Sequence, residues 1–215
     1  MYPGAVPATA RVLIADDQPH ILEALQLLLK CSGFSTEAVT HPARVLRALE
    51  AGAFDAVLLD LNYTRDTTAG EEGLELVSQI RSIDKLLPVL VMTAWGSIDQ
   101  AVEAMRRGAS DFVQKPWENR QLLQKLQNQL SRAQAQRRTQ FQRDDELREA
   151  REIQDKLLPK ELPEVRNYEV AAMTQPLRFV GGDYYNVARF SPQHTMICIA
   201  DVAGKGMPAA LLMSS

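Results

Sequence analysis

The chain has 215 residues, 46% of them hydrophobic and 24% charged, with a formal net charge of −3. This length suits one full domain and part of a second, the composition excludes a wholly disordered chain, and the charge predicts no broad attraction to nucleic acid or an anionic membrane. Residues 1–10 lack the basic start and long apolar core of a secretory signal, and no apolar run approaches the ~18 residues of a membrane span. A loose N-terminal tail, a cytoplasmic location, and neither membrane nor nucleic-acid partner are expected. Cys31 and Cys198 stand far apart and outside any Cys-x-x-Cys pair, which suits buried thiols in a reducing compartment.

From 11 to about 130, short apolar runs alternate with longer amphipathic stretches. That is the pattern of an α/β fold, a doubly wound five-stranded parallel sheet, with strands over 11–15, 35–39, 55–59, 89–92 and 111–114. The helix after the first strand buries Ile21, Leu22, Leu25, Leu28 and Leu29. The next carries Val45, Leu46 and Leu49, the third Leu74, Leu76, Val77 and Ile80, and the fourth Ile98, Ala101, Val102 and Met105. Breakers fall at Gly33, Gly52, Pro88 and Gly108, where helices should stop. The stretch 62–73 is long for a loop between strand and helix, which ordinarily takes roughly 2–6 residues, and it would overhang the sheet edge.

Beyond Pro116 a helical signal runs over 118–158 without Gly or Pro, as one long helix or two nearly continuous ones. Leu123, Leu126, Leu130 and Ala133 form one apolar stripe, polar Arg137, Gln140 and Asp144 interrupt it, and Leu147, Ala150, Ile153 and Leu157 form a second. Two stripes in so long a helix call for burial, so a coiled-coil linker and a homodimer are expected; a single helix bridging two domains is the alternative. The arginines 132, 137, 138 and 143 are interleaved with Gln and acids and read as a solvated face. Pro159 ends the helix, and 159–215 reads as a partial α+β segment, with strands over 169–173, 179–190 (interrupted by Gly181-Gly182) and 195–200, then a helix over 208–213.

Five polar residues sit where the apolar runs of the first segment end: Asp16, Asp17, Asp60, Thr93 and Lys115. Singly each is ordinary; an acidic pair before Pro19 is a common helix N-cap. In a parallel α/β sheet, however, all five meet at the carboxyl edge of the strands, where such folds bind ligands. Three crowded carboxylates raise one another's pKa unless a hard cation with oxygen ligands joins them, most simply Mg²⁺. The ion turns an acidic pocket into one that accepts phosphate. Asp60 can then act as nucleophile toward phosphorus, with Lys115 neutralising the equatorial oxygens and Thr93 donating a hydrogen bond.

At these residues the chain resembles the receiver domain of bacterial two-component response regulators, a flavodoxin/CheY-like fold, over 11–130. The resemblance implies that Asp60 is the phosphoacceptor. It also implies that Asp16 and Asp17 hold Mg²⁺ with Asp60 and the backbone carbonyl of Asn62, and that Thr93 and Lys115 bind the phosphoryl group. A cis Lys115–Pro116 peptide, a switch aromatic at Phe112 that turns inward on phosphorylation, and a sensor histidine kinase or phosphotransfer protein as partner are implied as well. The 62–73 segment is longer than the usual receiver loop and resembles a variant in the NtrC-like branch.

In the last segment Asp183 follows Gly181-Gly182 and Asp201 precedes Val202-Ala203-Gly204-Lys205-Gly206, each Asp bordering a strand. Such placement suits metal ions bridging a phosphate, and it equally suits two turn aspartates. The Walker spacing is absent. Together with Arg151-Glu152-Ile153-Gln154-Asp155-Lys156-Leu157-Leu158-Pro159, these stretches resemble the start of a PPM-type serine phosphatase of the SpoIIE/RsbU group. That resemblance implies that Asp183, Asp201 and the carbonyl of Val202 bind paired Mn²⁺ or Mg²⁺, with a phosphorylated anti-sigma-factor antagonist as substrate. The family's remaining metal-binding aspartates lie further toward the C-terminus than Ser215, so phosphatase activity is not expected of the chain as it stands. A segment of under ~60 residues is also too small to enclose a normal core, and should lean on the linker helix. The expected function is a phosphorelay response regulator with a phosphatase output. A non-enzymatic receiver adaptor is the rival, and a transcriptional regulator is disfavoured because no helix-turn-helix or Walker sequence follows the linker.

Overall fold

The computed structural model describes residues 9–62, 71–94, 98–165, 167–176, 179–191, 193–203 and 207–213. The chain divides into two compact units, 1–137 and 138–215.

The first unit contains five strands, β1 (Arg11–Ala15), β2 (Ser35–Val39), β3 (Ala56–Asp60), β4 (Val89–Thr93) and β5 (Asp111–Gln114). They form one parallel sheet in the order β2-β1-β3-β4-β5, with Leu13 opposite Val57, Leu59 opposite Val91 and Val91 opposite Phe112. Every residue of β3 and β4 is buried, which is why these strands read as unbroken apolar runs. Helices α1 (Pro19–Cys31), α2 (Pro42–Ala51), α3 (Glu71–Ile83) and α4 (Ile98–Arg106) alternate with the strands, and α5 (Asn119–Leu157) follows β5.

Two apolar clusters lie on the two faces of the sheet. On one, Val45 of α2, Leu74, Val77 and Ile80 of α3, and Ala104 of α4 pack on Leu13, Val57, Leu59, Val89 and Val91. On the other, Leu22, Leu25 and Leu29 of α1 and Leu122, Leu126 and Leu130 of α5 pack on Val12, Ile14, Leu58, Leu90 and Met92. The doubly wound arrangement expected from the alternating pattern is present.

Several details differ from expectation. The third and fourth strands extend one residue further, so Asp60 and Thr93 are the last residues of β3 and β4. Helix α4 is buried through Ala101 and Ala104, while Ile98 (74% exposed), Val102 and Met105 face solvent. The helix carries two parallel stripes, and the one with the smaller side chains lies against the sheet. In α5, Leu126, Leu130 and Ala133 are buried, with Leu122 and not Leu123 as the deep contact. Leu122, Leu126 and Leu130 belong to the unit's own core, so the first stripe offers no separate dimer seam. Cys31, on the side of α1 away from Leu29, is exposed and Cys198 half-buried; both are free thiols. The 63–70 part of the long loop lies outside the described residues.

The second unit contains the remainder of α5, an antiparallel pair β6 (Asp183–Ser191) and β7 (His194–Asp201), and α6 (Met207–Met213). The strand expected over 169–173 is not formed; an isolated Val165–Tyr168 bridge is the pairing nearest to it. Residues that suit a strand do not form one where no neighbour takes up their backbone groups. Gln154 and Leu158 are buried, as are Val180, Val187, Ala209 and Ala210. Among the described residues no helix is long and apolar enough to cross a membrane.

Candidate functional site

Because the five strands are parallel, the residues at or just past their carboxyl ends converge on one edge. Asp16 and Asp17 follow β1, Asp60 and Thr93 terminate β3 and β4, and Lys115 follows β5. The backbone N–H of Lys115 donates to Thr93 O (2.7 Å) and that of Leu61 to Met92 O (3.1 Å), holding these ends side by side. The Lys115–Pro116 peptide is cis.

Lys115 Nζ lies 2.6 Å from Asp16 Oδ2 and 2.9 Å from Asp60 Oδ2, and both carboxylates are buried. Asp16 Oδ1 also accepts the Gln18 N–H (2.9 Å), and Asp60 Oδ1 accepts that of Asn62 (3.3 Å). These short Asp-to-backbone loops fix each carboxylate from its own chain segment. One carboxylate oxygen each of Asp16, Asp17 and Asp60 lies within 4.8 Å of the others. Asp17 Oδ1 is buried without a hydrogen-bond partner. Three carboxyl groups against one ammonium make an oxygen-rich acidic cluster, and a buried orphan oxygen beside two more calls for a hard cation. The donor set therefore fits Mg²⁺.

Burial pushes the Asp60 carboxyl above its ordinary value; the Lys115 ammonium opposes this and Asp16 adds to it. For Lys115, burial works against the charge, but the hydrogen bonds to Asp16 and Asp60 outweigh it and raise the ammonium above its usual range. A cavity of about 500 Å³ opens over the cluster, lined by Asp17, Gln18, Pro19, His20, Asp60, Asn62, Ala94 and Lys115. Gln18 and His20 were not singled out in the sequence; their only signal is that they directly follow the acidic pair. A larger hollow of about 710 Å³ lies between α2 and α3, lined by His41, Leu46, Glu71, Glu75 and Arg107 among others. It holds an ion pair of half-buried Arg107 with exposed Glu75 at 3.7 Å, and the clustered acids lie at the smaller cavity.

Phe112 is 41% exposed, on the outer part of β5. Lys125 Nζ sits 4.7 Å from its ring centroid and also donates to Asp111 Oδ1 (2.7 Å) and Phe112 O (2.6 Å). The aromatic ring thus stands outward beneath a cation.

In the second unit Asp183 and Asp201 are directly opposite one another in the β6–β7 register, at the open end of the hairpin, and both are exposed. Val202 follows β7, and its N–H donates to Gly182 O (3.2 Å). Gln154 was quoted in the sequence only as part of a motif. Its side chain is buried and makes two hydrogen bonds to the backbone of Gly181.

The sequence profile of the family described as "Response regulator receiver domain" matches residues 12–127, more than half of the chain. The chain is similar to the response regulator protein FleR of Pseudomonas aeruginosa, 41% identical over 114 residues, which are 53% of this chain and 23% of FleR. It is also similar to the transcriptional regulatory protein ZraR of Klebsiella oxytoca, 34% identical over 122 residues, 57% of this chain and 26% of ZraR. The chain thus matches about a quarter of the length of either relative. Among solved structures, the N-terminal signal receiver domain of a two-component response regulator from Bacteroides fragilis aligns with a TM-score of 0.51 at 37% identity, covering 57% of this chain and 98% of that one. With its five-stranded parallel sheet, its acidic cluster at the strand ends and this profile match, the chain belongs to the response regulator receiver domain family.

Proposed function

We propose that Asp60 accepts a phosphoryl group from a phosphohistidine of a sensor histidine kinase or phosphotransfer protein. An Asp60 carboxylate oxygen forms the new bond to phosphorus, the phosphorus–nitrogen bond breaks, and the departing imidazole takes a proton. Receiver domains generally bind Mg²⁺ at an acidic site, and here Asp16, Asp17, Asp60 and the Asn62 carbonyl would hold the ion, which supplies positive charge to the phosphoryl oxygens. Lys115, already between Asp16 and Asp60, neutralises the equatorial oxygens, and Thr93 donates to the product from the end of β4. The observation that carries this reading is the buried Asp16–Lys115–Asp60 cluster beside the unpartnered Asp17 oxygen. Treatment with acetyl phosphate and Mg²⁺ should give a phosphoryl adduct by intact mass that is lost in Asp60→Asn. An adduct that persists in the variant sinks the assignment.

For the output, the reading is that the receiver acts through α5 on a PPM-type protein serine/threonine phosphatase segment, whose Asp183, Asp201 and Val202 carbonyl would hold Mn²⁺ or Mg²⁺. Like charges placed directly across a β-ladder are destabilising without a cation, and Asp183 faces Asp201 in this way. A phosphorylated anti-sigma-factor antagonist is the corresponding substrate. The matches to FleR and ZraR span 114 and 122 residues, 23% and 26% of those proteins, so the outputs of those relatives are not carried over to this chain. Ile153 and Leu157, exposed one turn apart on α5, supply apolar surface for a homodimer through the linker. Solution mass with and without beryllium fluoride tests this; a monomer in both states counts against it. A receiver adaptor without enzymatic output is the second reading, favoured by the acidic cluster of three residues lying wholly in the first unit.

A further inference from the structure

Gln154 is 6% exposed, although its neighbour Ile153, part of the helix's second apolar stripe, is left in solvent. Burying a primary amide is unfavourable unless both of its ends are satisfied. Here Nε2 donates to Gly181 O (2.6 Å) and Oε1 accepts the Gly181 N–H (3.1 Å), so one side chain takes both backbone groups of one residue. The next residue, Gly182, accepts the Val202 N–H, and a Cβ on it would stand 2.8 Å from Val202 O. The third, Asp183, lies across from Asp201. Of three consecutive residues, Gly181 is bonded to α5, Gly182 is bonded to the end of β7 and Asp183 stands opposite Asp201 in the ladder.

We propose that Gln154 is a positioning residue that clamps the 181–183 turn to α5 and so holds Asp183 against Asp201 for a divalent cation. The proposal rests on the reading of Asp183 and Asp201 as oxygen ligands. Two facing carboxylates repel and would splay the open end of the hairpin. The amide clamp restrains the strand that carries one of them, as outer partners of metal ligands do.

The test is a Mn²⁺ titration of the ¹⁵N-labelled full chain, reading paramagnetic broadening of amides near 182–184 and 201–202, with amide hydrogen exchange in parallel. In the unsubstituted protein the hairpin end broadens, and Asp183→Asn removes that effect. Gln154→Met should need about tenfold more Mn²⁺ at the hairpin. Broadening around Asp16, Asp17 and Asp60 should not change, and the Tyr184–Ala200 part of the ladder should stay protected. Unchanged Mn²⁺ binding at the hairpin in Gln154→Met overturns the proposal. Should that variant lose the ladder, Gln154→Glu decides, because it keeps the acceptor for the Gly181 N–H and lacks the donor. At high salt, to screen its charge, it should keep the ladder with weakened Mn²⁺ binding; undiminished binding overturns the proposal. Absence of hairpin broadening in the unsubstituted protein, or persistence of it in Asp183→Asn, sinks the metal reading itself and the positioning role with it.

Discussion

Lys115→Met isolates the electrostatics of the acidic edge. Lys115 Nζ lies 2.6 Å and 2.9 Å from carboxylates that are 0% and 1% exposed, so the substitution leaves Asp16 and Asp60 facing each other without their counter-ion. Removing one partner of a buried ion pair costs about 3–5 kcal/mol. For a chain of this size about 1 kcal/mol corresponds to roughly 2–4 °C, so calorimetry in chelator at neutral pH should show a fall of about 6–20 °C in the receiver transition. The pH dependence carries a sign. Burial already raises Asp60 in the folded state, and loss of the ammonium raises it further; a raised carboxyl is least costly below its unfolded value of 3.8 and costs stability as pH rises through the folded value. The deficit relative to the unsubstituted protein should therefore shrink on acidification toward 3.8. It should also shrink when Mg²⁺ is added, and Asp60→Asn in the same chain should recover much of it. Equal melting temperatures in chelator at neutral pH, or a deficit that grows on acidification, would refute this electrostatic account.

Asp60→Asn by itself should stabilise the metal-free receiver, because it removes a carboxylate whose charge burial disfavours, and calorimetry in chelator would register a higher melting temperature. Gly73→Ala places a Cβ 2.7 Å from Leu61 Cα and O, a backbone clash that should cost about 1–3 kcal/mol. Since Asn62 follows Leu61, the same variant should weaken Mg²⁺ binding by titration; unchanged melting and unchanged affinity would contradict the packing. Arg81→Met strips donors from the carbonyls of Gly108, Asp84, Lys85 and Leu87 and from Ser110 Oγ, and should lower stability by about 3 kcal/mol in denaturant titration. Lys115, whose ammonium is held above its usual value, contributes stability that is full below 10.5 and is lost as pH rises through the folded value; alkaline melts should show this, and Lys115→Met should lack it.

The sheet and its acidic edge were legible because both rest on local signals. Strands buried on both faces leave continuous apolar runs, and in a parallel sheet the residue ending each run must fall on one edge, which brings Asp16, Asp60, Thr93 and Lys115 together. Helix α4 was misread because periodicity counts apolar residues without saying which stripe faces inward. Ile98, Val102 and Met105 outweigh two alanines on any hydrophobicity scale, yet the alanines are the buried pair. In α5 the same ambiguity made Leu126 and Leu130 look available to a second chain although they complete the core of the first unit. Gln154 was hidden for another reason: its partner is the backbone of Gly181, 27 residues away, and backbone groups leave no mark in a sequence. The stretch 169–173 reads as a strand, but a strand exists only where a neighbour accepts its hydrogen bonds.

The alanine face of α4 has a mechanical consequence. Ala101 and Ala104 are its only fully buried hydrophobic residues, and their two methyl groups contribute on the order of 1–2 kcal/mol by area. A single hydrogen bond gained or lost at Thr93, one strand-end away, is of the same size. The fully buried face of the helix is therefore held about as weakly as the signal that would reach it, and exposed Ile98 with half-covered Val102 and Met105 are the side chains that any shift would redistribute.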